Sequence, residues 1–230
     1  MTTIVDRPSP NHAARAASTV VDVLVFHYTE LPLRESLDIL CDGERPLRVS
    51  AHYVLAEDGT LYRLVPEERV AWHAGRSWWR GREQLNATSI GIEIVNLWGD
   101  TNDYPGAQIA SLIELCREIL ARHPAIAARN VVGHSDIAPK RKIDPGTRFP
   151  WKTLSEAGIG LWPRPDARPV EGDFQRALQR FGYAPPTDVA PEEVVKAFQR
   201  HFRPGRVDGA ADPECRALLG DLLDQVGGAA

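Results

Sequence analysis

The hydrophobic pattern changes period several times along the chain, and each change marks an element. Residues 20–29, VVDVLVFHYT, form a dense β-branched run of strand length, suited to a sheet buried on both faces. His27 falls at its carboxyl end, on the same face as Val23 and Val25 by period two. Residues 33–41 predict a short helix, and residues 50–65 a hairpin that turns at Asp58-Gly59. Residues 90–96, IGIEIVN, predict another strand, with Ile90, Ile92 and Ile94 on one face and Gly91, Glu93 and Val95 on the other. After Pro105, apolar residues recur at helical spacing through Ile109, Leu112, Cys116 and Ile119, the pattern of a covering helix. NVVGH then returns the chain to the sheet at His134, and residues 151–158 predict a closing helix.

Both ends of the chain read differently. Residues 1–19 predict an irregular arm, because Pro8 and Pro10 interrupt any regular element. LWPRPDARPVEG, with Pro163, Pro165 and Pro169, predicts a stiff linker. Beyond it, EGDFQRALQRFG, PEEVVKAFQRHF and DPECRALLGDLLDQV are three amphipathic helix signals, a compact helical module. The expected organisation is a catalytic domain over 1–162, a linker over 163–170 and a three-helix module over 171–230.

Composition narrows the class. The 230 residues are 43% hydrophobic and 25% charged, as in a globular protein, and suffice for one ordinary domain plus a small one. A net charge of -4 offers no basic footprint for nucleic acid. Cys41, Cys116 and Cys215 are too scattered for a disulfide framework or a thiolate metal site and read as buried small hydrophobes. No window approaches the roughly eighteen apolar residues of a membrane span. The first residues hold no apolar signal core and no cysteine to lipidate, so the expected compartment is the cytoplasm. The periplasm or the inner face of the outer membrane is the alternative for a chain that has lost a leader.

Candidate chemistry concentrates at strand ends. In open α/β sheets ligands bind beyond the carboxyl ends of strands, where His27 sits. Glu93 is a lone carboxylate in an apolar strand, which costs free energy unless it is paired, wet or used. The stretch 131–151, VVGHSDIAPKRKIDPGTRFPW, packs His134, Lys142 and Asp144 among three prolines. A neutral imidazole and a carboxylate are good ligands for a borderline divalent cation such as zinc. Pro145 biases Asp144 towards extended backbone, which would place Lys142 on the same side. Taken by itself this stretch also fits a solvated loop with its charges facing water. Between the hairpin and Glu93, Trp72, His73, Trp78 and Trp79 alternate with Arg76, Arg80 and Arg82. Exposed indoles offer faces to sugar rings and arginines offer forks to carboxylates; the alternative is that the tryptophans anchor a long loop onto the core. His12, His123 and His201 carry no metal assignment, and the first two read as surface histidines.

VFHYTE, SAHYVLAEDGTLYRLVPE, AWHAG, SIGIEIVN and GHSDIAPKRKIDPG, in that order, resemble the zinc N-acetylmuramoyl-L-alanine amidases of the type-2 amidase family. The similarity covers roughly residues 10–160 and is nearest to the two-domain, AmiD-like members, with the AmpD-like recycling enzymes as wider relatives. AFQRHFRPGRVDGAADPECRALL more loosely resembles a peptidoglycan-binding module. The resemblance implies an α/β fold with a central mixed β-sheet flanked by helices, plus the small helical module. It implies one zinc ion held by His27, His134 and Asp144, with Glu93 as acid/base and Lys142 as stabiliser of developing charge. It also implies a peptidoglycan or muropeptide substrate, cleaved between the lactyl group of N-acetylmuramic acid and L-alanine. Tyr53, Trp72 and His73 are expected near the cleft, and Arg148 is a candidate for a peptide carboxylate. Two other classes compete. A non-catalytic peptidoglycan-recognition protein would keep the fold and lose ligands, which are all present here. A non-haem iron oxygenase also uses two histidines and a carboxylate, but nothing here points to a cosubstrate.

Overall fold

In the computed structural model, which describes residues 3–164, 168–186 and 188–227, a six-stranded sheet carries the molecule. Its strands are β1 (Ile4–Asp6), β3 (Val23–Tyr28), β4 (Tyr53–Leu55), β5 (Leu61–Arg63), β9 (Ser89–Ile94) and β10 (Val131–Gly133), in the spatial order β1-β5-β4-β9-β3-β10. The β4–β5 hairpin is antiparallel and its neighbours pair parallel, so the sheet is mixed. Two small ribbons flank it: β2 (His12–Ala14) with β6 (Arg69–Ala71), and β7 (Trp78–Trp79) with β8 (Arg82–Glu83). The helices are α1 (Leu33–Leu40), α2 (Gly106–Arg122), α3 (His134–Ile137), α4 (Trp151–Glu156), α5 (Phe174–Phe181), α6 (Pro191–Phe202) and α7 (Pro213–Gly227). None of them is long and apolar enough to cross a membrane.

Period two sorts each central strand into two faces, and each face has its own core. Leu24, Phe26, Ile90, Ile92, Ile94 and Val131 pack under α2 and α4. On the opposite face, Val23, Val25 and Val132 meet Trp79, Leu85, Ile137 and the apolar sides of α5, α6 and α7. Farther along that face, Val54 and Val95 pack with Leu37 and Leu40 of α1. The second face is thus covered at the amino end of β3 by the C-terminal helices, while His27, at its carboxyl end, is left for chemistry.

One expectation needs correcting. The N-terminal arm is not irregular: β1 pairs parallel with β5 and β2 antiparallel with β6. Pro8 and Pro10 fall in the connection between the two strands, where a missing N–H breaks no ladder. The connection to the C-terminal helices, expected to be stiff, is held to them by direct bonds. Pro163 is buried, the Arg164 guanidinium bonds Asp221 of α7 at 2.9 Å, and the Val170 N–H donates to the Arg216 carbonyl at 2.9 Å. Pro165 lies outside the described residues. The segment is stiff because it is strapped to α7, and α5–α7 share one core with the sheet. The three cysteines are free, with Cys116 and Cys215 buried and Cys41 partly so.

Candidate metal centre

Strand register alone brings the first two functional side chains together. β3 and β9 run parallel with His27 opposite Glu93, so both project from the same face at the carboxyl edge. β10 pairs Val132 with Val25 and Gly133 with Phe26, which delivers His134 to the same edge as the first residue of α3. The following loop folds back, and the Ser135 N–H donates to the Asp144 carbonyl at 2.9 Å. Three donor atoms then converge: His27 Nδ1 and His134 Nδ1 are 2.9 Å apart, and Asp144 Oδ2 is 3.1 Å from the first and 3.0 Å from the second. All three residues are buried.

The outward ring nitrogens decide which tautomers face that centre. The Ser89 hydroxyl donates to the Leu85 carbonyl at 2.7 Å, so its oxygen accepts from His73 Nε2–H at 3.1 Å. His73 Nδ1 is then bare and accepts from His27 Nε2–H at 3.0 Å, which leaves His27 Nδ1 with a lone pair. His134 Nε2–H donates to the Ala74 carbonyl at 3.1 Å, so its Nδ1 is bare as well. Arg141 braces this second arm, with one terminal nitrogen donating to the Ala74 and Arg76 carbonyls at 2.9 and 2.8 Å. Ligating histidines are characteristically oriented through their other nitrogen in this way. Two imidazole lone pairs and a carboxylate oxygen at about 3 Å have no hydrogen between them, and only a cation relieves the repulsion. Ligands at roughly 2.0–2.2 Å from one tetrahedral zinc ion stand roughly 3.4 Å apart, so the donor set fits once its atoms part by a few tenths of an ångström.

Electrostatics follow from burial. Burial, with His134 alongside, pushes the His27 imidazole down to about 4, which keeps it neutral and able to ligate. Glu93 goes the other way: burial first, then the Asp144 charge, push it up to about 8, with Lys142 opposing. A cleft opens over these groups, lined by His27, Glu93, His134, Lys142 and Asp144 together with Trp72, Val49 and residues of α1.

Of the expected substrate contacts, Trp72 lines the cleft, with the Arg48 guanidinium 5.3 Å over its ring. Tyr53 and Arg148 lie elsewhere, and His73 lines the cleft in another role. Tyr53 pairs with Ile92 rather than Glu93, so it points to the opposite face, where its hydroxyl donates to Glu67 at 2.6 Å. His73 borders the cleft, but both ring nitrogens are spent on His27 and Ser89, making it a support for a ligand. Arg148 is exposed, does not line the cleft and bonds Asp103 at 3.4 Å. Trp78 and Trp79 are 8% and 1% exposed, so neither offers a face to sugar. Trp79 donates to Asn130 at 3.1 Å and packs edge-on against Tyr183, 5.0 Å away, which seats the C-terminal helices. His201 is buried too.

The supporting residues Ser89, Ala74, Arg141 and Asp136 went unnoticed in the sequence. One signal was present: a Cβ on Gly91 would stand 2.4 Å from His73 Cγ, so the glycine in an apolar strand marked a side chain pressed against it.

The N-acetylmuramoyl-L-alanine amidase family model matches residues 17–147. The chain belongs to this family. A peptidoglycan binding domain model matches residues 172–219. The chain is similar to the N-acetylmuramoyl-L-alanine amidase AmiD of Escherichia coli, 40% identical over 93% of this chain and 86% of AmiD. It is also similar to the 1,6-anhydro-N-acetylmuramyl-L-alanine amidase AmpD of E. coli, 39% identical over 63% of this chain and 86% of AmpD. Among solved structures, E. coli AmiD in complex with anhydro-N-acetylmuramic acid-L-Ala-D-γ-Glu-L-Lys superposes with a TM-score of 0.80 at 38% identity, covering 92% of this chain and 93% of that one. AmpDh3 of Pseudomonas aeruginosa gives 0.83 at 39% identity, covering 92% and 95%. This amidase is therefore an enzyme of peptidoglycan turnover or recycling, and the mixed sheet flanked by helices is its family's fold.

Proposed function

We propose that this amidase holds one zinc ion on His27, His134 and Asp144, and that Glu93 and Lys142 act with it to hydrolyse the amide between the lactyl group of N-acetylmuramic acid and L-alanine. The observation that carries this is the triangle of unprotonated donor atoms about 3 Å apart, with the Glu93 carboxylate in the same cleft. Zinc with three protein ligands supplies an acidified water and a Lewis acid for the carbonyl.

The protein's own residues do the rest. Glu93 takes a proton from the attacking water as the oxygen bonds to the lactyl carbonyl carbon. Its carboxyl then returns that proton to the departing nitrogen of L-alanine as the C–N bond breaks. Water is thereby added across the amide: the acyl carbon keeps the hydroxyl, and the amine leaves with the hydrogen. Lys142 offers its ammonium to the negative charge that builds on the carbonyl oxygen. Trp72, in the same cleft, supplies an apolar wall for the muramoyl ring or the first peptide residues. We read residues 1–162 as catalytic, 163–170 as the connection and 171–230 as a glycan-binding unit.

Metal analysis and product analysis test this together. The expected result is stoichiometric zinc and, by mass spectrometry, free stem peptide beginning at L-alanine from soluble anhydro-muropeptides, with intact wall digested in parallel to rank the two substrates. Stoichiometric iron, or binding of muropeptide without cleavage, would overturn the assignment in favour of an oxygenase or a recognition protein.

A further inference from the structure

Asp136 lies two residues beyond His134, inside α3, and is almost fully buried. Its Oδ2 accepts from the Gly133 N–H at 2.7 Å and from His201 Nδ1–H at 2.8 Å; its Oδ1 accepts from the Tyr183 hydroxyl at 2.6 Å. The first bond is local to the loop that presents His134. The other two come from the C-terminal helices: His201 belongs to α6, and Tyr183 follows α5. The His201 ring stacks on Trp151 at 3.6 Å and on Phe202 at 3.9 Å, and its Nε2 is buried without a partner among the described residues, so the bond to Asp136 is the polar tie seen for that ring. Tyr183 is held by the edge of Trp79 and stacks with Phe181.

A four-residue helix has too few internal hydrogen bonds to hold itself. α3 keeps its place because the Asp136 carboxylate grips the Gly133 N–H at its start, and that carboxylate is in turn aimed by Tyr183 and His201. Rotating it would release the N–H of Gly133, the residue immediately before His134, whose Nδ1 must stand about 3 Å from two other donors.

We infer that the C-terminal helices are part of the catalytic apparatus: through Tyr183 and His201 they clamp Asp136 and thereby position His134 for the metal. The inference rests on the zinc assignment above. It differs from the ordinary role of a wall-binding module, which raises the local concentration of polymer substrate and leaves the metal site untouched. Tyr183 and His201 are positioning residues, acting through Asp136.

The test uses the full-length double variant Tyr183→Phe/His201→Phe, which removes both donors and keeps aromatic rings in the stacks. Three quantities are compared with the wild type: zinc affinity by chelator competition, hydrogen exchange across residues 131–137 in metal-free protein, and kcat and KM on a small soluble anhydro-muropeptide. The expected result is a folded protein that binds zinc at least about 10-fold more weakly, the scale of lost outer-sphere support. Exchange should be faster around Gly133 and His134, with kcat reduced and KM little changed. Tyr183→Phe alone should give a smaller shift in the same direction and serves if the double variant does not fold. His201→Asn, which keeps a donor, should stay nearer the wild type than His201→Phe. Unchanged zinc affinity and kcat in folded variants, or a defect confined to KM on intact wall, would overturn the clamp while leaving the zinc assignment standing. A wild-type chain that bound no zinc would overturn both.

Discussion

Two buried histidine–aspartate clusters grow from the same short loop, and they differ in their hydrogens. Around Asp144, the atoms facing one another are two imidazole lone pairs and a carboxylate oxygen, because the outer nitrogens of His27 and His134 have already committed their protons to His73 and Ala74. Around Asp136, the carboxylate meets three donors: a backbone N–H, an imidazole N–H and a phenol. The first cluster is short of positive charge at its centre and is completed by a cation. The second is saturated and needs none. Distances hardly separate them, since both have contacts near 3 Å. Counting which atoms carry hydrogens does, and that count is fixed by second neighbours rather than by the cluster itself.

The largest effect that could break the contrast is at Asp144. Asp144→Ala should lose stoichiometric zinc, and turnover with it; full zinc occupancy by elemental analysis would place the metal elsewhere. Glu93→Gln comes next. It should retain zinc yet lose turnover by about 10²–10⁴-fold, the usual worth of a general acid/base, so near-normal turnover would remove Glu93 from the reaction.

Smaller effects sharpen the comparison by acting on the neighbours. Gly91→Ala should drive the His73 ring away from its bond to His27, weakening zinc binding by about 10–100-fold without touching a ligand. An unchanged affinity by chelator competition would show that His27 keeps its tautomer unaided. Tyr183→Phe probes the saturated cluster in metal-free protein, where it should cost roughly 1.5–3 kcal/mol, the value of a hydrogen bond to a charged acceptor. Denaturant unfolding in excess chelator measures this, and a cost near zero would mean that Asp136 finds another donor.

Much of this was legible in the chain itself. Period two in β9 placed Glu93 opposite the isoleucines, and the β-branched run of β3 put His27 at a strand end; the structure has both where the pattern requires. What misled was geometry that depends on pairing partners. Tyr53 adjoins His52 in a hairpin, but its face was settled only when it registered with Ile92. Trp78 and Trp79 read either as sugar platforms or as anchors of a long loop; both are buried, and Trp79 became core once helices more than ninety residues later packed on it. Arg148 belongs to the right loop and points away from the cleft.

Local rules acting over a few residues therefore determined the elements, the candidate ligands and the lone strand acid, because period and composition are properties of a short window. Which tautomers face the metal, which tryptophans see solvent and which helices brace His134 were decided only in three dimensions. Each of these depends on a hydrogen bond or a contact between residues tens of positions apart, as when His201 reaches Asp136 across 65 positions, and no local window contains both partners.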